Sequence, residues 1–224
     1  MIVKGKIRKR IALLLAMVMA LSMELMHVAA ADEGSGQMEV SLNVTYGQTD
    51  ARAMLDMIND FRTGGDAWAL NSAGEKVTYT DLGELTYDYD LEQIAMQRAA
   101  EIAISFLHTR PNGEDSSTAT CNGTRSSAEN IAVGYGSQGK IDKIFNFLQE
   151  TDEGYSGQIH RRIMLSGDYT AVGIGHVRYK GMDYWVQEFG TASNSTETAC
   201  VDGDASVPVS IATSKIESPS LAVD

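Results

Sequence analysis

Basic residues are scarce in this chain: 18 lysines and arginines stand against 30 aspartates and glutamates, a formal net charge of −12. That balance repels nucleic acid and anionic lipid and argues against DNA or RNA as a partner. Cysteine is almost missing, with two residues in 224, so no disulfide framework carries the fold. Past residue 31 no apolar run reaches the roughly 18 to 20 residues that a membrane span needs. There is no His-Glu-x-x-His helix and no Gly-x-Ser-x-Gly turn, so the zinc-peptidase helix and the serine-hydrolase elbow are both absent.

What is present begins with a leader. Lys4, Lys6, Arg8, Lys9 and Arg10 precede an apolar stretch from Ile11 to Met23, and Val28-Ala-Ala-Ala31 stands before Asp32. This is the pattern of a secretory signal peptide over residues 1–31, with cleavage after Ala31 and an extracellular destination. The mature chain of 193 residues would carry a charge of −16 and be long enough for one domain with a substantial core. In an oxidising compartment Cys121 and Cys200 either pair as a disulfide or stand as two thiols.

Residues 32–49 read as an N-terminal extension with a peripheral strand, because Met38 to Tyr46 alternates apolar and polar side chains. From Ala51, Met54, Leu55, Ile58 and Phe61 return at helical spacing until Gly64-Gly65, with Thr49 or Asp50 as N-cap. A second helix has Asp90 and Gln93 in capping-box spacing and an apolar stripe from Leu91 to Phe106. It must end before Pro111, which places His108 at its C-terminal end. Ile141, Ile144, Phe145 and Leu148 mark a third helix with Glu150 in its last turn. His160 to Leu165 is a short helical or turn segment, and Tyr169–Val177 with Tyr184–Phe189 reads as a hairpin turning near Lys180-Gly181. Gly173 and Gly175 predict close approach of another backbone or a ligand to that strand. Residues 191–224 lack aromatics and are rich in serine and threonine, which predicts a flexible tail with one strand near Val207–Thr213.

Three runs concentrate the chemistry: His108-Thr-Arg-Pro-Asn-Gly113, Ala128-Glu-Asn-Ile-Ala132 and His160-Arg-Arg-Ile-Met-Leu165. With Phe147-Leu-Gln-Glu150, Val172-Gly-Ile-Gly175 and Tyr184-Trp-Val-Gln-Glu-Phe-Gly190 they form an ordered set. That set resembles the CAP superfamily of cysteine-rich secretory, antigen 5 and pathogenesis-related 1 proteins, especially its bacterial secreted branch. The resemblance covers residues 50–190. It implies an α+β fold, an α-β-α sandwich with a small antiparallel sheet between helices, and a cleft lined by His108, Glu129, Glu150 and His160. Three positions depart from the pattern: Ala128 and Ile159 replace glycines, and Phe147 replaces a tryptophan while keeping an aromatic core body. The branched Ile159 is expected to narrow the rim of the cleft.

Two imidazoles suit zinc or a similar divalent cation, and carboxylates either join them or orient the rings. His108 and His160 are accordingly the expected metal ligands. The same four side chains also fit a purely structural hydrogen-bonded network. Three functions remain open on sequence. One is a non-catalytic extracellular module binding a protein, peptide, glycan or lipid. The second is a metal-assisted peptidase or esterase with Glu129 or Glu150 as general base. The third, implied by the resemblance alone, is sterol or fatty-acid binding. His176 is expected to be structural or exposed.

Overall fold

The computed structural model describes residues 27–32, 36–191 and 194–215. The basic and apolar parts of the expected leader therefore lie outside the described residues, as does the chain after Lys215. The elements run β1 His27–Asp32, β2 Gln37–Gly47, α1 Gln48–Thr63, β3 Trp68–Leu70, β4 Lys76–Thr78, β5 Thr86–Tyr87 and α2 Tyr89–Ile104. They continue with β6 Thr120–Cys121, β7 Thr124–Arg125, β8 Ala128–Tyr135, α3 Ile141–Leu148 and α4 Ile159–Met164. Three strands close the chain: β9 Ala171–Tyr179, β10 Met182–Gly190 and β11 Asp202–Ala212. The expected cleavage point after Ala31 falls inside β1, which pairs with residues 37–41 of β2.

Seven strands form the main sheet, and β3–β4 and β6–β7 are separate two-stranded ribbons. The sheet is antiparallel except for the short β5–β9 pair, which is parallel. It is larger than the small sheet expected from sequence. The main reason is the C-terminal segment: β11 pairs with β2 over residues 202–212, a longer strand than the one expected near Val207–Thr213 in an otherwise flexible tail. Val207, Val209 and Ile211 alternate inward and are buried, and that burial offsets the entropy of ordering the segment. Pro208 is tolerated because β11 pairs on one side only. The strand expected to be peripheral, β2, is thus flanked by others.

Helices cover both faces, as an α-β-α sandwich requires. Against one face α2 packs Ala95, Ala99, Ile102 and Ala103 on Val40, Leu42, Ile131, Tyr184 and Val186. Against the other, α1, α3 and α4 bury Met54, Ile58, Ile144, Phe145 and Met164 on Ala132, Ile174, Trp185 and Phe189. The glycines of β9 set the spacing of the first layer. A Cβ at Gly173 would lie 2.1 Å from the Glu92 nitrogen, and one at Gly175 would lie 2.3 Å from the Ala95 oxygen. The predicted close approach is that of the α2 backbone. Between β9 and β10 the chain turns through Lys180 and Gly181, both at positive φ, as a two-residue hairpin of this hand demands.

Helix boundaries of α1 and α2 differ from the sequence reading. The α1 N-cap is Gly47, so Thr49 and Asp50, expected as caps, lie inside the first turn. The α2 N-cap is Asp88, whose side chain accepts from the Asp90 and Leu91 amides. Asp90 instead points to the loops, where it accepts from Asn122 and Asn194. The helix also stops at Ile104, with Ser105 extended, so His108 sits in the following loop rather than at the helix end.

Candidate functional site

Strand β8 carries the centre of the site. It pairs with β10 on one side and with no other strand, so it is a sheet edge among the described residues. Alternation sends Glu129, Ile131 and Val133 to the α2 face and Ala128, Asn130 and Ala132 to the opposite face. Each face contributes one half of the site.

On the α2 face, His108 places Nδ1 2.8 Å from Glu129 Oε1. Below it, Arg98 Nε donates to Glu129 Oε2 at 2.7 Å, and Arg98 Nη1 donates to Glu101 Oε2 at 2.7 Å. Arg110 closes the cluster with bonds of 2.7 and 3.0 Å to Glu101. The third arginine nitrogen of Arg98 donates to the Leu107 carbonyl at 3.0 Å, which anchors the loop that presents His108. Burial by itself raises the pKa of Glu129, but the hydrogen bonds from His108 and Arg98 and the Arg98 charge outweigh it and hold the carboxyl below its ordinary value. Glu101 is held low in the same way, with burial outweighed by Arg110 and Arg98. The carboxylates are buried, whereas the His108 side chain is 57% exposed.

On the other face, His160 places Nδ1 2.5 Å from Glu150 Oε1. Glu150 lies two residues beyond α3, not in its last turn, and adopts φ 47°. A non-glycine residue in this left-handed region is held there by its surroundings. Arg161 does the holding. Its amide donates to Glu150 Oε2 at 3.2 Å, and its guanidinium donates to the Gln149 carbonyl at 2.7 Å and to the Trp68 carbonyl. That guanidinium also lies over the rings of Trp68 and Phe61, 4.1 and 4.7 Å from their centroids.

Asn130 joins the halves. Its side-chain amide donates to the His160 carbonyl at 3.2 Å and to Gln187 Oε1 at 2.9 Å. The four expected residues therefore resolve into two imidazole–carboxylate pairs flanking the start of β8. A carboxylate only accepts, so in the neutral imidazoles Nδ1 carries the proton and Nε2 keeps the lone pair. Neither Nε2 has a hydrogen-bond partner among the described residues. A carboxylate on Nδ1 orients an imidazole and leaves Nε2 as the ring atom open to a ligand, and both His108 and His160 have this arrangement. Glu129 and Glu150 are already engaged. No group of three or more His, Cys, Asp or Glu side chains among the described residues is arranged to hold a metal.

Four large apolar side chains, Leu107, Phe147, Tyr155 and Ile159, are exposed, Phe147 at 59% and Ile159 at 53%. Phe147 is thus not a core aromatic as expected; it lies 6.4 Å from the His160 ring, centroid to centroid. Cys121 and Cys200 are both free thiols, so the pairing considered for them is not formed. His176 is buried and stacked on Trp185 at 3.9 Å, with Nε2 3.0 Å from Asp183, in a structural role away from the cleft. The sequence reading missed Arg98, Glu101, Arg110 and Arg161. Arg98 and Glu101 did carry a signal, since opposite charges three apart share a helix face.

Among solved structures, the crystal structure of NaASP2 with Zn2+ is similar, at 16% sequence identity and a TM-score of 0.46, covering 78% of this chain and 90% of that one. No curated protein matches the chain. No helix among the described residues is long and apolar enough to cross a membrane. The family model for the cysteine-rich secretory proteins, CAP, matches residues 55–189, well over half of the sequence and all of the site. By that match, and with the sandwich and ordered motifs it accompanies, the chain belongs to the CAP family of cysteine-rich secretory proteins.

Proposed function

We propose that this protein is a secreted, non-catalytic binding module whose cleft holds a divalent cation such as zinc between His108 and His160. The observation that carries the reading is the pair of imidazoles with Nδ1 on a carboxylate and Nε2 unpartnered, on either side of one strand edge. Two neutral rings supply modest affinity and leave coordination positions to water or a ligand. The ion would act as a Lewis acid or a bridge to a ligand's donor atom. The exposed Leu107, Phe147, Tyr155 and Ile159 favour an extracellular protein, peptide, glycan or lipid with an apolar portion.

The hydrolase reading is less well supported because both candidate bases are committed. Glu129 is bound by Arg98 and His108, and Glu150 by His160 and the Arg161 amide. A general base must be within reach of a water it can deprotonate. Metal analysis and calorimetric zinc titration of the chain beside a His108→Ala/His160→Ala double variant test the proposal. One bound ion per chain, lost in the variant, is expected. Equal binding by both proteins would overturn it, and metal-dependent turnover of a peptide or ester substrate would restore the enzyme.

A further inference from the structure

Glu188 is a register partner of Glu129 across the β8–β10 ladder, and of Gly173 across the β9–β10 ladder. Register partners share a face, so the two carboxyls lie side by side toward α2, with Cβ atoms about 4.5 to 5.5 Å apart. Gly173 offers no side chain on the far flank, and the α2 backbone closes over it at Leu91 and Glu92. Glu188 is fully buried, and neither of its oxygens has a donor among the described residues. An ionised carboxylate left in that state would be costly, since a buried charge requires a partner.

The nearby cations are already used. From α2, Arg98 serves Glu129 and Glu101; from the following loop, Arg110 serves Glu101 and His108 faces Glu129. The Ser126 hydroxyl, just before β8, and the Arg98 charge both favour an ionised Glu188 and lower its pKa, but burial and the charge of Glu129 outweigh them. Two arginines against Glu101 and Glu129 give a neutral cluster, and an ionised Glu188 would add an unmatched charge. Two carboxyls in contact can bond only when one of them is an acid.

We propose that Glu188 holds a proton at neutral pH and donates it in a hydrogen bond to Glu129, making Glu188 a positioning residue for the Glu129–His108 pair. The order is then acid, carboxylate, imidazole, with Arg98 bracing the middle member. Burial first, and the charge of Glu129 second, push the Glu188 pKa well above its ordinary value. The proton on Glu188 stands independently of ion binding; its influence on zinc rests on the function proposed above.

Infrared spectra of the native chain and E188Q at neutral pH read the carbonyl stretch of an un-ionised carboxylic acid. The band is expected in the native protein and absent from E188Q. A native spectrum without it, or a band unchanged in E188Q, overturns the proposal. Stability gives a second reading. The unfolded chain releases this proton above about pH 4.3 while the folded chain keeps it, so native stability is lost as pH rises from there to the folded pKa. Relative to E188Q, the native unfolding constant should grow about tenfold per pH unit in that window. Parallel curves contradict the proposal. If E188Q does not fold, carbon NMR of the native chain labelled at its glutamate carboxyls decides: one signal at a protonated position at neutral pH supports the acid, and none overturns it. For positioning, E188L should weaken zinc binding by about tenfold, and E188Q should restore it. Equal affinities for native, E188L and E188Q sink the positioning role. If the native chain binds no zinc at all, the proposed function fails, and the infrared and stability results still decide the proton.

Discussion

His108 and His160 each give Nδ1 to a carboxylate, yet the two carboxylates are anchored in opposite ways. Glu129 projects from a strand into a buried charge cluster, with its side chain 3% exposed and Arg98 fully buried beneath it. Glu150 stands on a left-handed turn between α3 and α4, and its fixed partner besides His160 is a backbone amide. The first half is tied to the sheet and to α2, so its chemistry cannot be altered without disturbing the core. The second half is a loop whose shape is set by Arg161 between two aromatic rings, so it can be altered locally.

Replacing Arg98 should separate the halves most sharply. Arg98→Met removes the cation shared by Glu101 and Glu129 and leaves buried carboxylates short of charge, at a cost of about 3 to 5 kcal/mol. Denaturant unfolding measures it; a loss no larger than that of an ordinary surface substitution would show that the cluster contributes little. Acid gives a smaller effect in the same half. The pKa values of Glu101 and Glu129 are depressed in the folded protein, so their contribution is present above the unfolded glutamate value of about 4.3 and is lost as pH falls below it. Thermal melts across that range should show the decline in the native chain and a flatter limb in R98M. Least costly for the fold is Glu150→Gly. Glycine accepts φ 47° freely, so stability should change by no more than about 1 kcal/mol, while zinc affinity falls by roughly 10- to 100-fold as His160 loses its orienting partner. Large destabilisation by E150G would make the second half as integral to the core as the first.

The same contrast explains what could be read from the residues alone. Periodicity located β2, three of the four helices and the β9–β10 hairpin, because Val40, Leu42 and Val44 or Met54 and Ile58 repeat with the period of their element. The glycines of β9 announced a close approach, though only packing identifies the α2 backbone as the neighbour. A strand was read near Val207–Thr213, but its extent and its place in the sheet were not: Val207, Val209 and Ile211 inside form one face of a strand whose partner β2 lies more than 150 positions away. The two histidines and two glutamates stood out through their motifs. Their division into pairs on opposite faces of β8 follows from strand alternation, which fixes Glu129 and Asn130 on different sides. Glu188 was silent, and Arg98 signalled only a helix face shared with Glu101, since a charged residue in an amphipathic pattern normally reads as solvated surface. Burial turned both into partners of Glu129.

A calorimetric zinc titration of the native chain, H108A, H160A and the double variant tests most directly whether the two pairs act as one cleft. If both imidazoles hold one ion, each single substitution should remove nearly all of the affinity and the double substitution should add little, a strongly non-additive cycle. Additive losses, or an ion retained in full by either single variant, would contradict the account and leave two separate structural pairs.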